Sequence, residues 1–242
     1  MNRSVSILGV RVDDVSLAET VAAAEEAAAG RRRLRIVTAN PEIVCLAASD
    51  AQLRAILAEA DLVTPDGVGV LWAARRFGQP LRERVTGIDL AQALFQAGQT
   101  RGWRVFLLGG RPGVAAEAAA AQAEIYPGLV FACAHGYFAE EEEGALTEQI
   151  RLFRPHLLLA GLGAPRQEIW LSAHSDLAAV SVGVGGAFDV LAGRKKRAPR
   201  WMQRAGCEWL YRLVREPERL KRQRVLPVFL WRVLRQRVSG DV

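Results

Sequence analysis

Short apolar runs recur along this chain, separated by longer stretches that are Ala-rich or amphipathic. Val5–Val10, Leu34–Thr38, Asp61–Thr64, Arg104–Leu108, Leu129–Cys133, His156–Ala160 and Val180–Val184 have the length and content of strands. The intervening stretches, about 10–15 residues each, read as helices. Their ends carry start and stop signals. Ser16-Leu17-Ala18-Glu19 is a capping box before a helix ending at Gly30, Asn40-Pro41 opens another helix, Asp50 starts a short one, and Thr86 with Asp89 resembles a further box.

Strands alternating with helices predict an α/β fold: a mostly parallel, Rossmann-like sheet with helices on both faces. In such a sheet, ligands bind at the carboxyl ends of the strands. The residues that follow each strand are therefore the ones to inspect. Asp61–Val70 reads as a buried strand, a tight Pro65-Asp66-Gly67 turn and an apolar helix. Pro65 ends the pairing and Gly67 permits a sharp bend. Asp66 then either N-caps the helix or projects a carboxylate into a crevice. Thr38-Ala39-Asn40-Pro41-Glu42 poses the same choice for Asn40. Gly109-Gly110-Arg111-Pro112-Gly113 is a Gly-rich turn that offers backbone N–H groups to a phosphate. It is not a GxGxxG fingerprint, and it lacks the P-loop lysine. Arg84 lies on a loop before a helix start, where it is either solvated or turned toward an anion.

Charge changes the picture at one end only. Residues 1–193 carry 17 Lys/Arg and 22 Asp/Glu, whereas residues 194–242 carry 15 and 4. This divides the chain into an α/β domain over 1–193 and a basic amphipathic helical appendage over 194–242. In the appendage, Arg194-Lys195-Lys196-Arg197 is a basic hinge, Pro217 starts a helix, and Val225–Leu234 is an apolar run flanked by arginines. Arginines beside Trp, Phe and Leu suit an interfacial helix on an anionic membrane. Duplex nucleic acid would also attract such charge, and a helical hairpin packed on the body would leave its arginines solvated. Cys45, Cys133 and Cys207 form no framework and read as small buried hydrophobes of a reducing compartment. No signal-peptide pattern opens the chain, and no apolar run approaches the ~20 residues that span a bilayer.

Taken together, Thr38–Glu42, Pro65–Gly69, Arg84–Asp89, Gly161–Glu168 and Val182–Asp189, with Arg197-Ala198-Pro199, Glu208–Leu213 and Arg215–Arg219 in the tail, resemble the WecG/TagA/CpsF glycosyltransferases over nearly the whole chain. The resemblance implies an inverting transfer of a hexose or N-acetylhexosamine. The donor would be a UDP-sugar, and the acceptor an undecaprenyl-diphosphate-linked sugar at the inner face of the bacterial membrane, with no metal or other cofactor. On that reading Asp66 is the base, with Thr38 and Gln167 beside it in the catalytic group. Asn40, Arg84, Gly109, Gly110, Arg166, Gly185 and Gly186 bind substrate, and Arg215 and Arg222 of the tail reach the diphosphate. The enzyme would be cytoplasmic and peripheral to the membrane, with homo-oligomerisation as another use for the tail. Two other classes compete. A nucleotide-cofactor-dependent oxidoreductase would explain the strand–Gly–helix turns, although no acidic residue stands at the ribose position. A nucleic-acid module would explain the basic tail but not the polar turns.

Overall fold

In the computed structural model, which describes residues 3–30, 32–215 and 224–236, six parallel strands form one sheet. The chain does not begin with a single strand over Val5–Val10. It makes a hairpin, β1 (Ser4–Ile7) and β2 (Val10–Asp13), paired antiparallel in its own two-stranded sheet. The break falls at Leu8-Gly9, where both residues take positive φ (51° and 84°), as a two-residue hairpin turn requires. The Asp13 carboxylate accepts from the Val63 N–H at 2.8 Å and fastens the hairpin to the main sheet.

The main-sheet strands are β3 (Leu34–Ala39), β4 (Leu62–Pro65), β5 (Arg104–Gly109), β6 (Val130–Ala134), β7 (Leu157–Gly161) and β8 (Val180–Gly183), in spatial order β4-β3-β8-β7-β5-β6. Their side chains alternate between two apolar layers. Leu34, Ile36, Val105, Leu107, Leu157, Leu159, Val180 and Val182 pack against α1 (Leu17–Ala28), α5 (Gly87–Gly98), α6 (Val114–Ile125) and the short α9 (Phe188–Leu191). On the other face, Val37, Ala39 and Val63 meet α2 (Pro41–Ser49), α3 (Ala51–Ala58), α4 (Val68–Arg76) and the hairpin. Phe106, Leu108, Leu158 and Ala160 meet α7 (Glu140–Phe153) and α8 (Arg166–Ala173) on that same face. Continuous apolar strands are what a sheet covered on both faces needs.

The tail forms α10 (Arg200–Arg204), α11 (Glu208–Arg215) and α12 (Val225–Arg235). The predicted helix start at Pro217, and Arg222 with it, lie outside the described residues. Helix α12 packs back on the body. Phe229 and Val233 are fully buried in the core shared by α2, α4 and the hairpin. Gly69 makes this fit possible, since a Cβ there would stand 2.8 Å from Pro41 Cγ and 3.6 Å from Phe229 Cε1. Arg232 donates to the Cys45 carbonyl at 3.1 Å midway along α2 and to Ser49 Oγ at 3.2 Å at its last residue. No helix among the described residues is long and apolar enough to cross a bilayer.

Candidate active site on the carboxyl edge

Because the six strands run parallel, the turns that follow them share one edge of the sheet. At β3 and β4 the register places Thr38 beside Thr64 and Ala39 beside Pro65. The next residue, Asp66, keeps its N–H on the Ala39 carbonyl at 2.8 Å. The turns bearing Asn40 and Asp66 are therefore neighbours, but their side chains are used differently. Asn40 Oδ1 accepts from the Glu42 and Ile43 N–H groups at 2.9 and 3.1 Å, so it caps α2. Helix α4 has Gly67 as its cap residue and no side-chain cap bond. Gly67 takes φ 101°, which a residue with a Cβ rarely adopts. Asp66 is half-exposed and lies one residue before that cap position.

Across the next strand, Thr38 Oγ1 donates to the Gly183 carbonyl at 2.9 Å. Helices leave β3 and β8 on opposite faces of the sheet, so a crevice opens between their ends, and this hydrogen bond forms part of its floor. Gln167, in the first turn of α8, fills the space over Gly183, where a Cβ would meet its Nε2 at 2.7 Å. Its Oε1 accepts from the Gly185 N–H at 3.1 Å and its Nε2 donates to Glu168 Oε1 at 2.8 Å. Thr38, Gln167 and Gly185 are thus brought together, with Gly186 exposed at the turn. Thr38 and Gln167 are both buried and bonded to the surrounding turns, an arrangement that suits them to positioning.

A second group gathers at β5, β6 and β7. Gly109 takes φ 144° and lies so close to Gly161 that a Cβ would stand 2.5 Å from its carbonyl carbon. The Gly110 N–H donates to the Gly161 carbonyl at 3.2 Å. Arg166 Nη1 donates to the Gly136 carbonyl at 2.7 Å and its guanidinium lies 4.6 Å over the Phe138 ring. Gly136 N–H in turn bonds the Gly110 carbonyl at 2.9 Å. Arg166 and the Gly109–Gly110 turn therefore border one another.

The tail approaches the first group. A Cβ at Gly206, between α10 and α11, would stand 2.6 Å from Val68 Cγ1, two residues beyond Asp66. Arg84 is not a solvated loop arginine. It is largely buried, and its Nη2 lies 3.5 Å from Glu208 Oε2 on α11. Arg197 forks onto Asp89 at 2.6 and 2.9 Å and approaches Glu208 at 3.6 Å. Burial works against ionising Asp89. The Arg197 fork and the Thr86 hydroxyl outweigh it and hold the carboxyl below its usual range. Arg194 pairs with Glu117 and Lys195 with Asp189, so much of the basic hinge is spent on the body's own acids. Arg215 is exposed at the end of α11, its guanidinium 5.7 Å from the Tyr211 ring centre; the structure does not bring it into either cluster. A separate polar cavity of about 320 Å³, lined by Arg33, Arg35, Glu59, Asp61 and Ser181 among others, opens at the opposite, amino-terminal edge.

A profile of the glycosyl transferase WecG/TagA/CpsF family matches residues 5–241. The chain belongs to this family. Among its relatives are proteins of Staphylococcus aureus strains MW2 and NCTC 8325, each 35% identical over 233 residues, which is 95% of this chain and 91% of the relative. Both are named N-acetylglucosaminyldiphosphoundecaprenol N-acetyl-beta-D-mannosaminyltransferase. The chain is thus a glycosyltransferase by family.

One buried residue here carries no clear signal in the sequence. Glu168 is 3% exposed, and its Oε2 has no hydrogen-bond partner. Burial raises its pKa to about 7 against the opposing hydrogen bonds, and Glu42 pushes it the same way. In sequence it is one acid in the first turn of a helix, a common and unremarked placement.

Proposed function

We propose that this protein transfers a hexose or N-acetylhexosamine, of the N-acetylmannosamine type, from a UDP-sugar to an undecaprenyl-diphosphate-linked sugar, with inversion at the anomeric carbon. The observation that carries this reading is the placement of Asp66. It is a half-exposed carboxylate on a rigid turn at the ligand edge, one residue before the Gly67 cap position and beside the turn that follows β3. An inverting displacement needs one base within hydrogen-bond reach of the acceptor hydroxyl. Asp66 takes that proton as the acceptor oxygen attacks C1 and the bond to UDP breaks. Thr38 and Gln167 hold the crevice in shape around it. The Gly185–Gly186 and Gly109–Gly110 turns receive the uridine diphosphate through backbone N–H groups. Arg84, drawn away from Glu208, meets the charge that develops on the leaving diphosphate. In this reading the arginines, not a bound metal, balance that charge.

The acceptor is a lipid, and the tail offers a surface that suits one. Trp201, Trp209, Leu210, Val214, Leu230, Trp231 and Leu234 are exposed on α10, α11 and α12, and Trp72 and Val68 of α4 are exposed as well. Arg200, Arg215 and Arg235 lie among them. Aromatic and aliphatic side chains mixed with arginines favour the interface of an anionic bilayer. We therefore place the protein at the inner membrane surface as a peripheral enzyme. Self-association through the same surface is the second use it would support.

The deciding experiment measures transfer from a panel of UDP-sugars to a short-chain lipid-diphosphate-linked N-acetylglucosamine, for the parent and Asp66→Asn. Selective turnover of one donor, lost in the variant while UDP binding stays within a few-fold, is expected. Unchanged turnover in the variant would remove Asp66 as the base.

A further inference from the structure

Glu168 sits against the proposed diphosphate turn without touching the crevice. Its Oε1 takes a hydrogen from Gln167 Nε2. That bond decides which way the Gln167 amide faces, because only the Nε2 end can donate. With Nε2 committed to Glu168, Oε1 is the atom left to accept the Gly185 N–H. Gly183, against which the amide packs, has no room for a side chain. The chain of contacts is therefore Glu168 to Gln167 to Gly185, with no slack at its middle member.

The seat of Glu168 is apolar and carries no cation. Trp170 and Leu171 of the same helix are buried, and β7 and β8 beneath it contribute only uncharged residues. The charged side chain on α3 is Arg54, which is exposed and extends toward Gly9 of the hairpin. Arg35 of β3 is directed to the Ile56 carbonyl. On α8 itself, Arg166 bonds Gly136, and His174 stacks on Trp170 and faces Glu143. From α2, Glu42 adds a like charge. A buried carboxylate with one oxygen unpaired and a like charge nearby is costly, whereas a neutral carboxyl is tolerated there.

We propose that Glu168 is a positioning residue whose carboxyl oxygen locks the Gln167 amide and thereby holds the Gly185–Gly186 turn in the shape that receives the donor diphosphate. Ionisation tightens the bond from Gln167 Nε2, because a carboxylate is the stronger acceptor, and the amide passes that change to the Gly185 N–H. This rests on the reading of that turn as the diphosphate seat, so the test separates the two.

The backbone amide of Gly185 is followed by nitrogen-15 NMR from pH 5.5 to 8.5, alongside calorimetric binding of UDP. In the parent, the Gly185 resonance is expected to titrate with a midpoint close to the value near 7 that burial imposes on Glu168. UDP affinity changes several-fold over the same interval. Glu168→Gln keeps an uncharged acceptor for Gln167, so its Gly185 resonance is expected to stay flat. Gln167→Met cuts the relay while keeping the acid, and serves if the first variant fails to fold; its Gly185 signal no longer follows the acid. A parent signal that does not move, or that titrates alike in Glu168→Gln, overturns the proposal. Titration of Gly185 without UDP binding at any pH supports the relay and refutes the diphosphate reading instead.

Discussion

The turns after β3 and β4 are adjacent in space and alike in sequence, yet they do different work. Each runs from a buried strand through a short polar stretch containing proline into an apolar helix. After β3 the proline follows the polar residue, so Asn40 occupies the cap position and spends its Oδ1 on two helix N–H groups. After β4 the proline precedes it, and Gly67 takes the cap position at a positive φ. That one-residue difference in where the helix begins leaves Asp66 outside the cap. The lesson is that a polar residue at a strand end becomes a chemical candidate when the cap position of the helix it precedes falls to another residue.

The largest effect should come from breaking the β4 turn's chemistry. Asp66→Asn keeps size and polarity but cannot take a proton, and a general base contributes about 10²–10⁴-fold in rate. Transfer should fall by at least that lower bound, measured under saturating donor and acceptor, with the melting temperature nearly unchanged. A drop in stability comparable to that of a cap deletion would show that the two turns are equivalent after all. The packing that holds the β4 turn in place comes next. Phe229→Ala empties a fully buried site against Gly69 and Pro41, and such truncations cost about 3–5 kcal/mol. Denaturant melts should report that loss. Turnover in the folded fraction should also fall, because α4 and its preceding turn lose their backing.

The tail clamp gives a smaller effect with a defined pH dependence. Asp89 has its carboxyl held below the usual range, so its pairing with Arg197 stabilises the folded state above the ordinary carboxylate pKa and is lost as pH falls through the lowered value. Below about pH 4, α11 should therefore loosen from the body, and Asp89→Asn should show the looser state at neutral pH. Limited proteolysis near residues 198–207, compared at pH 7 and in the variant, reads this directly.

Most of the fold could be read from the sequence, because strand and helix periods are local and their caps are written in adjacent residues. Ser16, Asn40, Asp50 and Thr86 cap the helices their spacing announces. The N-terminal hairpin was not legible. Its turn is Leu8-Gly9, and a leucine at φ 51° breaks the usual residue preference, held there by tertiary packing. The convergence of Thr38, Gln167 and Gly185 followed once the strands were known to be parallel. The partners that complete the site did not follow. Glu208 lies 124 residues from Arg84, and Arg197 lies 108 from Asp89, distances over which no local period speaks. Glu168 was hidden for a related reason: what sets it apart is the dry environment that other elements build around it.

The smallest effect tests the other half of the comparison. If Asn40 serves chiefly as a cap, Asn40→Ala should cost about 0.5–2 kcal/mol, because two helix N–H groups lose their acceptor. Asn40→Asp keeps that acceptor and adds a negative charge that the start of α2 favours. It should therefore restore most of the stability. Substrate contact is a separate matter, since the cap uses Oδ1 and leaves the amide nitrogen to serve a ligand. Asn40→Asp removes that donor and adds repulsion toward a diphosphate. The pair of variants thus separates the two roles. Stability recovered by Asp without recovery of the donor KM assigns Asn40 to both cap and substrate. Recovery of both would confine it to the helix and leave Asp66 as the sole chemical residue of the two turns.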